Sequence, residues 1–163
     1  MAVSTNDELT LEIFLTREGA DLLREELVEL LEVTRPASLR RVQSAFQAGD
    51  GEGGTEVTAA RWEQDRIERR IRRLEDQLRL ARIVDVADLD VDRIALGHRV
   101  DVRRADGTER TYVLVSPVES SPARGRLSIE SPLGAALVGR RVGDVLALPH
   151  NNAQITVVRF GTP

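Results

Sequence analysis

The sequence predicts an α+β protein, an antiparallel α-helical hairpin followed by a β-rich domain, and three observations carry that reading. Apolar residues recur at alternating steps of three and four along two stretches, as on one seam of a coiled coil. Those stretches are separated by the acidic glycine turn Gly49-Asp50-Gly51-Glu52-Gly53-Gly54, in which the glycines permit a sharp reversal. Beyond residue 85 the apolar period changes from helical to two. The expected units are residues 1–85 and 86–163, and their surfaces differ. Acids outnumber bases 18 to 13 in the first, while the second holds 9 against 10.

The first arm is expected to begin at Thr16-Arg17-Glu18-Gly19, a capping threonine with a box-like acid, followed by Ala20, Leu23, Leu27 and Leu30 on one face. Pro36 predicts a kink or a restarted helix, because proline lacks the amide hydrogen an unbroken helix needs. Leu39, Val42 and Ala45 or Phe46 continue the apolar face, and the arm should end near Gly49. The return arm starts near Thr55, with Ala60, Ile67, Ile71, Leu74, Leu78 and Ala81 on its seam and Gln64 in one seam position. At about 1.5 Å per residue, roughly 30 residues per arm make a rod of about 45 Å. The return arm also carries Arg66, Glu68, Arg69, Arg70, Arg72, Arg73, Glu75 and Asp76. Two readings are open: a solvated face with helical ion pairs, or an arginine-lined rod that lies along acidic walls or nucleic-acid phosphates.

Residues 85–90 read as a connector. After it, Arg99-Val100-Asp101-Val102-Arg103 alternates, Ala105-Asp106-Gly107-Thr108 offers an Asp-Gly turn, and residues 109–115 alternate again, which predicts a hairpin. Residues 126–129 suit a short strand. Pro132-Leu133-Gly134-Ala135-Ala136-Leu137 suits a short helix, with Ser131 as its cap and Pro132 at the first position. Residues 144–148 and 154–160 close the sheet.

Composition excludes several chemistries. With no cysteine, the chain has no disulfide, thiolate nucleophile or cysteine-built zinc site. His98 and His150 lie too far apart for a local metal motif and read as structural or surface histidines. All 23 basic residues are arginine, first of all a compositional signature of the source. A net charge of -4 without a basic cluster argues against strong binding to free DNA. The glycines at the tip lack the lysine and strand of a phosphate-binding loop. Residues 1–9 are polar and interrupted by Asn6, Asp7 and Glu8, so neither a signal peptide nor a membrane span is expected there, and a cytoplasmic location follows as the default.

Several stretches together resemble one family. Thr16-Arg17-Glu18-Gly19-Ala20 with Leu23-Arg24-Glu25-Glu26-Leu27, and the proline at 36, are similar to the opening arm of the bacterial Gre transcript-cleavage factors, GreA and GreB, and their non-cleaving homologues. Ala59-Ala60-Arg61 and Ala81-Arg82-Ile83-Val84-Asp85 resemble the start and end of that family's second arm. The most specific match is Ser131-Pro132-Leu133-Gly134-Ala135-Ala136-Leu137-Val138-Gly139-Arg140-Arg141-Val142-Gly143-Asp144, which is similar to the signature of its C-terminal domain.

The resemblance implies an antiparallel coiled coil joined to an FKBP-like β-rich domain. It also implies RNA polymerase as partner, with the globular domain docked at the rim of the secondary channel and the coiled-coil tip near the catalytic magnesium. DNA and RNA are then met only through the transcription complex, and the factor is expected as a monomer with no cofactor of its own. The docking contact maps onto Glu130, Ser131 and Pro132, where a plain helix cap is the competing reading. Cleavage in the family depends on two tip acids spaced Asp-x-x-Glu, which help to hold a second Mg²⁺ and an attacking water. Mg²⁺ demands oxygen ligands in near-octahedral geometry, so spacing matters as much as charge. Asp50 occupies the first acid position, the one candidate metal ligand, but Gly53 stands where the second acid belongs. Glu52 is displaced by one residue, Glu56 matches a further family acid, and Val57 and Thr58 replace the polar aromatic and histidine often found there.

Three functions are therefore weighed. The first is a non-enzymatic regulator whose tip approaches the polymerase centre without stimulating RNA cleavage. The second is an active cleavage factor in which Glu52 or Glu56 takes the missing role. The third is prolyl isomerisation, which Tyr112 and Phe160, the sole aromatics of residues 86–163, are too few to support. A merely solvated acidic turn is the bland alternative for the tip.

Overall fold

The computed structural model describes residues 13–50, 54–85, 89–148 and 153–162. In chain order these form β1 (Ile13–Thr16), α1 (Arg17–Glu29), α2 (Arg35–Ala45), α3 (Thr55–Leu80), β2 (Ala81–Val84), β3 (Arg99–Arg104), β4 (Glu109–Val115), β5 (Arg126–Ser128), α4 (Pro132–Leu137), β6 (Val145–Ala147) and β7 (Gln154–Gly161). Residues 86–88 of the expected connector and His150 lie outside the described residues.

Thr16 caps α1 as expected: its backbone is extended and its Oγ1 accepts the Gly19 amide hydrogen at 3.0 Å. Glu18, read as a box-like acid, turns instead toward the β-rich part of the chain, to Arg126. Between α1 and α2 the backbone widens into a π-helical turn, Leu30–Thr34, where the Arg35 amide reaches back five residues to the Leu30 carbonyl. The wide turn lets the helix restart with Pro36 in the first turn of α2, where its missing amide hydrogen costs nothing. A second π-helical turn, Phe46–Asp50, ends the first arm.

The arms pack antiparallel. Ala20 and Leu23 of α1 meet Leu74 of α3 in one buried cluster. Cross-arm ion pairs follow the same direction: Glu26 with Arg70, Arg35 with Glu68, and Arg41 with Glu63, at 2.6–2.7 Å, so that partners fall in number as the first arm rises. Ser38 and Ala45 are buried on α2, with Val42 half-buried between them. Leu39, expected on this seam, is 48% exposed, because one residue of displacement is about 100° around a helix. Val57, fully buried beneath the tip, joins Ala60, Ile67, Ile71 and Leu74 on the α3 seam. The helix stops at Leu80. Ala81, expected to continue the arm, is extended and opens β2, which pairs in parallel with β1 in the register Ile13↔Ala81 to Thr16↔Val84.

The second sheet has the order β5-β4-β3-β7-β6. β3 and β4 form the predicted hairpin. Gly107 takes the left-handed conformation (φ 82°) at its turn, and Asp106 accepts hydrogen bonds from the Thr108 amide and hydroxyl. β4 and β5 are parallel, so the chain between them crosses over through short 3₁₀ turns at Pro117–Glu119 and Pro122–Arg124. Alternation places Val100, Val102, Leu114, Ile155 and Val157 in the core, which Ile94, Leu137 and Leu146 complete. His98 is buried against it, edge-on to Phe160 at 5.1 Å between ring centres, and its Nδ1 accepts the Ala95 amide hydrogen at 2.9 Å. Both the structural reading of His98 and its neutral state follow, since burial lowers its pKa against a smaller opposing pull from Asp90.

Ser131 caps α4 through the Gly134 amide, and its own hydroxyl donates to the Ser128 carbonyl at 2.6 Å. Gly134 is fixed by contact: a Cβ there would lie 2.0 Å from the Ser128 carbonyl oxygen, which is backbone and cannot rotate away. Gly134→Ala is therefore expected to lower stability by about 2 kcal/mol, read as a fall in the urea midpoint of the whole chain. His98 gives a pH test. Its folded pKa lies below the ordinary 6.5, so its contribution is full above that value and is lost as acidification lets the unfolded chain bind a proton the folded chain resists. The urea midpoint should fall from pH 7.5 to 5.5, and His98→Asn should flatten that slope.

Candidate functional site

Glu130, Ser131 and Pro132 form the turn between β5 and α4. Glu130 and Pro132 are exposed and Ser131 is half-buried by its capping bonds. The Glu130 amide donates to Ser128 Oγ at 3.1 Å, so the turn hangs from the last residue of β5 by this bond and by the Ser131–Ser128 bond. Capping thus holds the turn, as the helix-cap reading expects, while Glu130 and Pro132 stay exposed on it.

Arg126, the first residue of β5, occupies the joint between hairpin and sheet. Its side chain is only 6% exposed and faces a Glu119 side chain that is 0% exposed. Arg126 donates to Glu119 Oε2 at 2.6 Å, to Thr16 Oγ1 at 3.0 Å and to Glu18 Oε2 at 2.9 Å. Glu119 in turn accepts from the Thr16 amide at 3.1 Å, the Thr16 hydroxyl, and the Ser116 hydroxyl at 3.0 Å. Every charge in the cluster is met, as burial demands. Gly19 makes room for it, since a Cβ at that position would lie 1.6 Å from Glu119 Oε2. Val118 adds an apolar contact to the cluster at the base of the hairpin. The two sides of the cluster stand more than a hundred positions apart in sequence, and although Thr16-Arg17-Glu18-Gly19 reads as a helix start, no local pattern joins it to Glu119 or Arg126.

At the far end, the backbone of Asp50 closes the π-helical turn, while Glu52 and Gly53 lie outside the described residues. Glu56 is exposed in the first turn of α3, where the helix dipole favours a carboxylate. Beneath it, Arg61 sits 5.0 Å from the centre of the Phe46 ring, a cation–π contact that ties the two arms just behind the turn. Asp50 and Glu56 therefore flank the turn from opposite arms. Farther down the rod, the cross-arm pairs use Arg35, Arg41 and Arg70, whereas exposed Arg66, Arg69, Arg72 and Arg73 have no ion-pair partner among the described residues. The cross-arm pairs bear out the reading of a solvated face with ion pairs. Among the described residues no three histidine, aspartate or glutamate side chains converge as a metal site, and no helix is long and apolar enough to cross a membrane.

The structure is thus a two-armed helical rod locked by a buried polar cluster to a small β-rich body that exposes a capped turn. Residues 13–83 match the model of the GreA/GreB transcription elongation factor N-terminal domain, and residues 89–160 match that of the GreA/GreB C-terminal domain, so the chain belongs to the GreA/GreB family. It is 38% identical over 144 residues to transcription elongation factor GreA of Lactococcus lactis subsp. cremoris, covering 88% of this chain and 92% of the relative. It is 37% identical over 152 residues to GreA of Rhodospirillum rubrum, covering 90% and 97%. Among solved structures it is similar to GreA factor homolog 1 of Thermus thermophilus, at 32% identity, TM-score 0.45, and 91% and 98% coverage. This chain is a transcription elongation factor of the Gre family, and its partner is RNA polymerase.

Burial makes the joint the most sensitive polar cluster to test. Glu119→Ala, which leaves Arg126 without its buried partner, is expected to cost about 3 kcal/mol. Arg103→Ala, at the half-exposed Arg103–Glu109 pair, should cost under about 1 kcal/mol. Urea denaturation of both variants checks the contrast.

Proposed function

We propose that this factor binds RNA polymerase at the secondary channel, with the β-rich domain at the rim and the hairpin tip near the catalytic centre, and that it does not stimulate RNA cleavage. It acts as a regulator and not as an enzyme, in the cytoplasm where the polymerase works, and holds no cofactor of its own. Glu130, Ser131 and Pro132 supply the docking edge. The observation that carries the reading is the tip sequence Gly49-Asp50-Gly51-Glu52-Gly53-Gly54, in which glycine stands at the position of the second family acid.

The physical reason is geometric. A second Mg²⁺ held between tip and polymerase needs two hard oxygens at a fixed spacing, and Asp50 alone provides one. Glu52 sits one residue off that spacing, and Gly51, Gly53 and Gly54 raise the entropy lost on fixing any single loop shape. Asp50, Glu52 and Glu56 still bring negative charge toward the polymerase-held Mg²⁺, where they perturb nucleotide entry.

The second reading, an active cleavage factor using Glu52 or Glu56 in the missing role, is favoured by relatives named transcription elongation factor GreA. A stalled elongation complex carrying 3′-labelled RNA separates the two. The protein is expected to leave the RNA no shorter than the complex alone does, and Gly53→Glu, which restores Asp-x-x-Glu, is expected to gain cleavage. Prompt shortening by the unaltered protein, abolished by Asp50→Asn, overturns the proposal in favour of the second reading.

A further inference from the structure

The strand β5 has three residues, and its two ends carry different duties. At its head, Arg126 binds Thr16 and Glu18 at the root of α1 and is itself gripped by Glu119. At its foot, Ser128 holds Glu130 through its hydroxyl and Ser131 through its carbonyl. The strand pairs in parallel with β4, in the register Val113↔Arg126 to Val115↔Ser128, so neither end can shift without breaking the ladder. An exposed turn and the origin of a long helical rod are therefore joined by one short, hydrogen-bonded segment.

The surroundings make the polar lock decisive for direction. Two clefts, of about 460 and 490 Å³, open at the joint, each lined by residues of both the hairpin and the β-rich part. Leu22 lines both, with Val84 and Val113 in the first and Val118 and Arg126 in the second. Packing at the joint is thus discontinuous. The aim of the rod depends on the Thr16-to-Gly19 junction, where Glu119 and Arg126 bind it and where Gly19 admits no side chain. A small rotation there is magnified along α3, which by itself is about 39 Å long at 1.5 Å per residue.

We infer that Glu119 and Arg126 are positioning residues: through β5 they couple the docking turn to the direction of the hairpin, and so set where the tip lies once the factor is docked. Neither residue touches the tip. The part of this inference that concerns the tip rests on the proposed function, while the coupling itself belongs to the free protein.

The test uses the absence of cysteine from the chain. Spin labels are placed on Arg40→Cys, on the exposed face of α2, and on Arg110→Cys, on exposed β4, and pulsed electron resonance reads the distance between them. The otherwise unaltered protein is expected to give one narrow distribution, and Glu119→Gln a broadened or shifted one. Thr16→Val, which removes a single hydroxyl from the lock, serves as a milder variant should Glu119→Gln fail to fold, and circular dichroism monitors folding. In transcription assays both variants should bind polymerase within about threefold of the parent yet lose the tip-dependent change in nucleotide addition by about tenfold or more. A merely structural role would lower binding and effect together. An unchanged distance distribution in folded variants overturns the coupling, and a broadened one with the tip effect intact overturns the positioning role. If even the parent leaves nucleotide addition unaltered, the functional reading falls, and the distance measurement alone decides the coupling.

Discussion

A buried arginine–glutamate pair decides how the two halves of this protein meet. Arg126 and Glu119 are withdrawn from water, and their charge is tolerable only because Thr16, Glu18 and Ser116 complete the hydrogen-bond set. Such a cluster adds little net stability compared with an apolar one, but it is far more selective about geometry. Gly19 shows how selective: the approach of Glu119 leaves no room even for a methyl group. A long lever attached to a small body needs that selectivity more than it needs strength.

The hairpin distributes its charges along the same logic. Near the base, cross-arm pairs such as the bidentate Arg70–Glu26 contact fix the register of α1 against α3. Behind the tip, Val57, Ala60 and Ala45 pack small apolar side chains, and the Arg61–Phe46 contact closes the end. Glu56, exposed in the first turn of α3, enters neither device among the described residues, which leaves it for whatever the tip approaches. In the reading proposed above, that is a metal held by another molecule, and one glycine in place of an acid separates influence on the site from chemistry at it.

Most of the architecture was legible in the sequence, because helical and strand periods, the Asp-Gly turn, and the Ser-Pro pair capping α4 are local signals. The periods failed where a residue's neighbours lay elsewhere. Leu39 is apolar and near the seam, yet contact with α3 selects Ser38 and Ala45. Ala81 continues the helical spacing, yet it pairs with Ile13 as a strand, a partner that no window around either residue contains. Only half of the joint was visible for the same reason: Thr16-Arg17-Glu18-Gly19 reads as a helix start, whereas Glu119 sits in an ordinary Ser-Pro-Val-Glu-Ser-Ser stretch and Arg126 in a short alternating one. The stretch Ser131-Pro132-Leu133-Gly134 carries a family likeness, and the contact of Gly134 with the Ser128 carbonyl gives its glycine a cause.

In the proposed complex a rigidly aimed hairpin carries its acidic turn to the active centre of RNA polymerase. An electron cryomicroscopy structure of the factor bound to a transcription elongation complex decides whether it does. Expected there are the docking turn at the rim of the secondary channel, the Glu119–Arg126 pair intact, and Asp50 facing the catalytic magnesium. A complex in which the hairpin lies outside the polymerase, with Asp50 in solvent, would contradict it.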